Sequence, residues 1–439
     1  MNQPHREVVL DNGMKAVLVE RRGLPVVATA LFYRVGSRDE RTGESGVAHF
    51  LEHMMFKGTE RYAKGEIDLI TSKLGGSNNA FTDHDATGYH FALASDRWET
   101  ALEIEASRMR DCLLDPAEFT AEKQVVIEEL SMGLDDPWNM LWQSTEALAY
   151  DVHPYHRPII GYREDLERLS VDGMRAFYRR HYGPNRAFLA VVGDIDLKAA
   201  EKRVRALFGG LTPVGEREPV LAEPERHVER RGIVRAPGTL TRLAMACRTC
   251  RVGERDDFHL DVLAQAIAIS KSSRLHRRLV IEEQLATQVG AHNETRFDPG
   301  LFSVLVELHP GVDPEQVEAV VREEMQRIVD DGVTASELKR ARIQIRSAFL
   351  FDEETVLEAA VRLGRYEVLS QKGWRLLDDV LSTYDAVDRR AVRETAARLF
   401  APENWTVVWS VPTDQEIRRP TVKKRRRGSA RPRGTEAAS

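Results

Sequence analysis

"GVAHFLEHMMFKG", residues 46–58, decides how this chain is read. On a helix, residues three and four apart share a face, so His49, Glu52 and His53 point the same way while Phe50, Leu51, Met54 and Met55 are left to pack. Two neutral imidazoles one helical turn apart make a metal-site geometry that suits Zn2+, and a catalytic zinc takes three protein ligands and keeps one position open. The third ligand is sought in "EKQVVIEEL", residues 122–130. There Glu122 and Glu129 lie seven apart on one helix face, while Glu128 points elsewhere. Glu129 is read as the ligand and Glu122 as its face-sharing support, counted among the catalytic residues. Glu52 adjoins His53 and would distort the helix to reach the same ion, so it is read as the general base that takes a proton from the attacking water. The competing reading is a buried amphipathic helix with two ordinary core histidines, and the downstream glutamate helix weighs against it.

Working outward, 439 residues are too many for one ordinary core, which implies two to three domains. An apolar share of 42% with 30% charged residues excludes a disordered or collagen-like chain. The longest apolar runs, such as "LPVVATALFY" at residues 24–33, fall short of the ~20 residues that span a bilayer, so no membrane partner is expected. The first twenty residues have no basic stretch followed by an apolar one, so a cytoplasmic location is expected. Cys112, Cys247 and Cys250 are too few for a disulfide framework and fit a reducing compartment. Cys247 and Cys250 form a CxxC without a second pair, inside "RLAMACRTCRV", whose alternation reads as a strand.

The net charge of −6 is unevenly spread, because residues 418–433 hold nine Lys or Arg and no acid. Without residues 418–439 the chain has 54 basic against 68 acidic side chains. An acidic body favours basic peptide segments as encounter partners. Nucleic acid is an unlikely partner, since a run such as "KKRRRGSARPRG" reads as a solvated tail.

Strand-like alternation opens the chain in "REVVLDNGMKAVLVE" and "PVVATALFYRVGS", and glycines close the helix "GEIDLITSKLGGS". "NNAFTDHDATGYHFALA" reads as one or two strands, residues 96–150 as helical with a long segment begun by Pro116, and 170–181 as a further helix. "RAFLAVVGDID" reads as a buried strand. Residues 212–232, rich in proline, glutamate and arginine, are the expected linker between domains 1–211 and 233–415, with a disordered basic tail at 416–439. Past the linker the order repeats: strand 239–248, helices 256–269 and 272–284, strands 286–308, helices 313–331, 334–351, 354–370 and 385–400, then the strand "NWTVVWSVP". That order implies an internal duplication.

His-x-x-Glu-His is the inverzincin motif, and over residues 7–412 the chain resembles the inverzincin zinc peptidases, the family of pitrilysin, insulysin and the mitochondrial processing peptidase. The likeness rests on "GVAHFLEHMMFKGT", "GGSNNAFTDHDATGYHF", "EKQVVIEELSMGLDDP", "HPYHRPIIGYREDLERL" and "FYRRHYGPNRAFLAVVGDID". It is nearest to the short bacterial branch and the processing-peptidase subunits. The resemblance implies an α+β fold in which two similar α/β domains, mostly antiparallel sheet packed with helices, form a bowl, and two bowls close as a clamshell dimer. It implies zinc on His49, His53 and Glu129, and an edge strand containing Asn79, Ala80 and Phe81 that pairs with the substrate backbone.

Self-sufficient members of the family carry an arginine, and a tyrosine seven residues later, in the second half. Aligned through "RRLVIEEQLATQVGA", this chain has Val280 and Thr287 there. Valine has no donor, and threonine is too short. The loss of a transition-state donor costs about 10²–10³ in rate. Either Arg277 or Arg278 substitutes from a shifted register, or a homologous partner subunit supplies the pair. The second is preferred, giving a zinc endopeptidase subunit of a heterodimer acting on peptides or unfolded segments. A self-sufficient homodimer and a non-catalytic structural subunit are the alternatives.

Overall fold

The computed structural model describes residues 3–351 and 353–413, so the expected basic tail lies outside the described residues. The first half runs β1 (His5–Val9), β2 (Lys15–Glu20), β3 (Val26–Tyr33), α1 (Val47–Met54), α2 (Glu66–Lys73), β4 (Ser77–Thr82), β5 (Thr87–Ala94), α3 (Glu99–Asp111), α4 (Pro116–Leu134), α5 (Pro137–Ala149), α6 (Arg163–Arg168), α7 (Val171–His181), β6 (Ala187–Gly193) and α8 (Leu197–Phe208). The second runs β7 (Arg230–Ala236), β8 (Arg242–Arg248), α9 (Arg255–Ala264), β9 (Ala286–Glu294), β10 (Leu301–Leu308), α10 (Pro314–Asp331), α11 (Ala335–Phe351), α12 (Val356–Leu369), α13 (Leu376–Ala386), α14 (Arg389–Leu399) and β11 (Trp405–Pro412).

Two sheets result, ordered β1-β2-β6-β3-β5-β4 and β7-β11-β8-β10-β9. Apart from the extra β1, their pairings match: β2–β6 and β7–β11 are parallel and every other pair is antiparallel. The chain is α+β with two similar domains, as the repeated order implied. Among the described residues, no helix is long and apolar enough to cross a membrane.

Local chemistry sets the breaks. The helical stretch 96–150 divides where Asp115 and Asp136 cap α4 and α5 with their carboxylates and a proline stands at the first helical turn. The single helix expected over 385–400 is α14 alone, since Asp388 caps it and separates it from α13. The helix expected at 272–284 is a wide π-type coil over His276–Glu282, and another such coil continues α9 over Gln265–Ile269. Arg230 to Gly232, at the end of the expected linker, are already strand, paired in parallel with Thr406 to Val408. That segment has no apolar alternation to announce it, because its stability comes from the ladder. Cys247 is fully buried in β8, and all three cysteines are free.

Each sheet has one face on the helices of its own half, and the other face is covered by a helix from the opposite half. Ala360, Leu363 and Val368 of α12 pack on Val17, Ala28, Phe32 and Val192 of the first sheet. Leu141 of α5 packs on Ala244 and Val408 of the second, with Trp138 alongside. The two helices hold equivalent places in the two halves, so the exchange is reciprocal. Gly364 makes it close: a Cβ there would lie 2.1 Å from Cδ2 of Phe32. Polar ties reinforce the seam. Tyr155 donates to both oxygens of buried Asp85, at 2.7 and 2.8 Å, and Phe297 N donates to the same carboxylate at 3.1 Å. Arg38 bridges to Asp298 at 2.6 Å.

Candidate metal centre

α1 lies against α4, with Phe50 stacked on Phe119 at 4.8 Å between ring centroids. Phe50, Leu51, Met54 and Met55 are fully buried, which fixes the helix and leaves the His49, Glu52 and His53 face toward α4 and β4. His49 Nε2 comes within 3.7 Å of Glu129 Oε1, and His53 Nε2 within 3.5 Å of Glu129 Oε2. One donor atom from each of the three residues falls within 4.8 Å of the others, the one such group of three or more among the described residues. Ligand atoms ~2.1 Å from a tetrahedral zinc sit about 3.4 Å apart. The donor set therefore fits the metal the sequence pattern called for.

The surroundings suit the roles. Burial, with the charge of His53 beside it, pushes the His49 imidazole down to about 4, which keeps it neutral and able to ligate. His53 turns its Nδ1 to Glu122 Oε1 at 3.0 Å, and Lys57 holds the other Glu122 oxygen at 2.5 Å. Burial raises the Glu122 carboxyl, but those two bonds outweigh it and leave it below the usual range. Glu122 thus sits behind His53, where it fixes the ring's tautomer and orientation. Glu52 is 9% exposed. Burial lifts its carboxyl, against a 2.6 Å hydrogen bond from Thr82 Oγ1 that holds it down.

Thr82 ends β4, the edge of the first sheet, which among the described residues pairs only with β5. Asn79 is exposed, and Ala80 and Phe81 are half-buried. Asn79 turns its side-chain oxygen to the Ala80 amide at 2.9 Å, and Phe81 meets Phe32 edge-on at 5.5 Å. Sequence reasoning missed Thr82 and Lys57. The only signal for Thr82 was its place three residues beyond Asn79 on the proposed strand.

The metal group opens into a cleft of about 1240 Å³, with His49, Thr82 and Glu129 on one wall. That exceeds the 300–1,000 Å³ of small-molecule pockets. α5 and α12, the exchanged helices, supply much of the remaining lining. The lining also includes Asp257 and Asp261 of α9, the element equivalent to α1, also four residues apart. Asn293 donates to both carboxylates, at 2.9 and 3.0 Å, and Tyr384 donates to Asp261.

Arg277 and Arg278 do not substitute for the missing donor within this cleft. Arg277 pairs with Glu282, and Arg278 with Glu283, Glu323 and Glu324, and neither lines the cavity. Val280 packs on the second core, and Thr287 donates to Glu307 at 2.8 Å.

The model of the family described as "Insulinase (Peptidase family M16)" matches residues 15–163, and the one described as "Peptidase M16 inactive domain" matches 168–345. A "Zinc protease PqqE" of Helicobacter pylori is 30% identical over 370 residues, 83% of either chain. An "Uncharacterized zinc protease YmxG" of Bacillus subtilis is 28% identical over 396 residues, 89% of this chain and 95% of that one. The crystal structure of a Helicobacter pylori protease superposes with a TM-score of 0.88 at 28% identity, covering 93% of this chain and all of the other. A Pseudomonas fluorescens structure titled as a peptidase M16 inactive domain gives a TM-score of 0.83 at 18% identity, with 94% and 99% covered, a likeness of fold.

Proposed function

This chain belongs to the M16 (insulinase) family of peptidases, and from that premise we propose that it is a zinc metalloendopeptidase whose metal is held by His49, His53 and Glu129 and whose general base is Glu52. One observation carries the reading: both imidazoles and the Glu129 carboxylate converge beside a buried, hydrogen-bonded Glu52 on the wall of a peptide-sized cleft. When bound, zinc supplies Lewis acidity that polarises the scissile carbonyl and acidifies water. Glu52 takes the proton from the attacking water and passes it to the leaving amine. Thr82 holds the Glu52 carboxylate by its second oxygen, and Glu122 with Lys57 keeps the His53 Nε2 lone pair toward the metal position. The exposed edge at Asn79, Ala80 and Phe81 binds an extended substrate by main-chain hydrogen bonds, which accept almost any sequence.

The reading extends to a homologous partner subunit that closes the clamshell and supplies the arginine and tyrosine. It is supported by Val280 and Thr287 at the family positions and by the engagement of Arg277 and Arg278 elsewhere. A cytoplasmic location belongs to the same reading, with its three cysteines free.

The test is zinc content and hydrolysis of a mixed set of quenched peptides by the purified chain, beside Glu52→Gln. Cleavage by the wild type alone, at full rate, removes the partner from the reading and keeps the peptidase. Bound zinc without cleavage supports an incomplete enzyme that awaits its partner. Absence of stoichiometric zinc refutes the metal site and leaves the structural-subunit alternative.

A further inference from the structure

The charged side chains around the cleft are held with one exception outside the metal group. Glu146 takes Arg296 at 2.5 Å and His84 at 3.4 Å. Asp83 accepts the amides of Asp85 and Ala86, both at 2.8 Å. Asp136 and Glu358 cap α5 and α12. Arg362 donates to the Phe349 carbonyl at 2.7 Å and lies over that ring. Arg365 lines the cleft, is exposed, and makes no hydrogen bond or ion pair among the described residues.

The base of Arg365 is as fixed as its tip is free. It follows Gly364, which is seated on Phe32, and precedes Val368, which is buried on the face of the first sheet that α12 covers. The guanidinium acts on Asp83, whose carboxyl is pushed up by burial and pulled down by Arg365. Asp83 directly follows Thr82, so the free cation stands near the end of β4 at which Thr82 holds Glu52. An arginine stem anchored by a close-packed helix, with its planar five-donor head in a peptide-sized cleft, is built for a bidentate carboxylate. The cleft's own carboxylates are engaged elsewhere, and Glu129 is turned to the two imidazoles.

We propose that Arg365 is a specificity-determining residue that anchors a carboxylate of the bound peptide. It is the second half's charged contact for a substrate whose reacting bond is handled by the first half. The proposal rests on the peptidase reading. The carboxylate has two sources, an acidic side chain or the free C-terminus, and the test separates them.

The test measures binding, independently of turnover, on the zinc-loaded full chain carrying Glu52→Gln, with and without Arg365→Gln or Arg365→Lys. A fluorescein-labelled peptide is titrated by anisotropy in four forms, with a free-acid or amide C-terminus and with Asp or Asn at an internal position. With Arg365, one carboxylate form binds about 10–100-fold more tightly than its neutral counterpart, as expected for a hydrogen bond between ionised groups. With Arg365→Gln that ratio falls to about one, and Arg365→Lys retains part of it, as a point charge without the fork. Whichever pair shows the preference names the source. The proposal is overturned if peptides bind with no carboxylate preference, or if the preference survives Arg365→Gln. Failure of every form to bind, with zinc in place, overturns the proposal for this chain, while the peptidase reading is judged separately by zinc content.

Discussion

Gly364→Ala tests the seam between the halves directly. A Cβ at Gly364 would sit 2.1, 2.2 and 2.9 Å from Cδ2, Cε2 and Cγ of Phe32, where carbon atoms prefer about 3.5–4.0 Å. The ring or the helix must therefore yield by about 1.5 Å. Phe32 has little room: it is 1% exposed and sits edge-on to Phe81. The clash falls toward the upper end of the ~1–3 kcal/mol typical of overpacking. It is offset by roughly 1 kcal/mol because alanine favours the helix more than glycine does, leaving a net loss of about 1–2 kcal/mol. The assay is urea denaturation of the wild type, Gly364→Ala, Phe32→Leu and the double variant. Removing ring atoms at position 32 makes room for the methyl, so the double variant should be more stable than the sum of the single effects by about 1 kcal/mol. A Gly364→Ala protein as stable as the wild type, or strict additivity in the cycle, would refute the close seating of α12.

Further expectations follow from the sites. Glu122→Gln should weaken zinc binding about 10–100-fold in a chelator competition while leaving the melting temperature of the metal-free chain within a few degrees; unchanged affinity would remove Glu122 from behind His53. Thr82→Val should lower kcat about tenfold or more with little change in KM, and Thr82→Ser should restore most of it, since the hydroxyl and not the methyl serves Glu52. Asp261 is pushed up to about 7 by burial and the neighbouring charge of Asp257. Its folded state keeps the proton more tightly than the unfolded chain, so folding is penalised increasingly from about pH 4 to about pH 7 and by a constant amount above. Asp261→Asn should therefore raise the melting temperature at pH 8 more than at pH 4.5, and an equal change at both pH values would contradict the assignment.

The convergence of His49, His53 and Glu129 was legible because a helical period and three side-chain types specify it almost alone: His49, Glu52 and His53 need only one turn of helix, and Glu129 only a second helix of the right length. The repeated order of elements was legible for the same reason, since alternation and caps are local. What escaped were features that depend on where elements go in space. The apolar faces of α5 and α12 say that each helix is buried, and nothing in their periodicity says that each lies on the other half's sheet. Thr82 and Lys57 are ordinary residues whose importance comes only from the partners they meet. β7 escaped because its apolar signal is weak and its partner, β11, lies some 170 residues away along the chain.

The reciprocal exchange of α5 and α12 makes the molecule a pair of clasped hands. A break anywhere between Leu211 and Glu229 would leave both pieces gripping each other, so a nicked chain should migrate as one particle until denatured. Separately produced halves would each present a bare apolar sheet face and should be soluble only when made together. The same clasp forbids a hinge between the halves, since opening them would strip a helix from its sheet. The cleft should therefore keep its width, and on the peptidase reading proposed above the length of peptide admitted would be governed at its mouth.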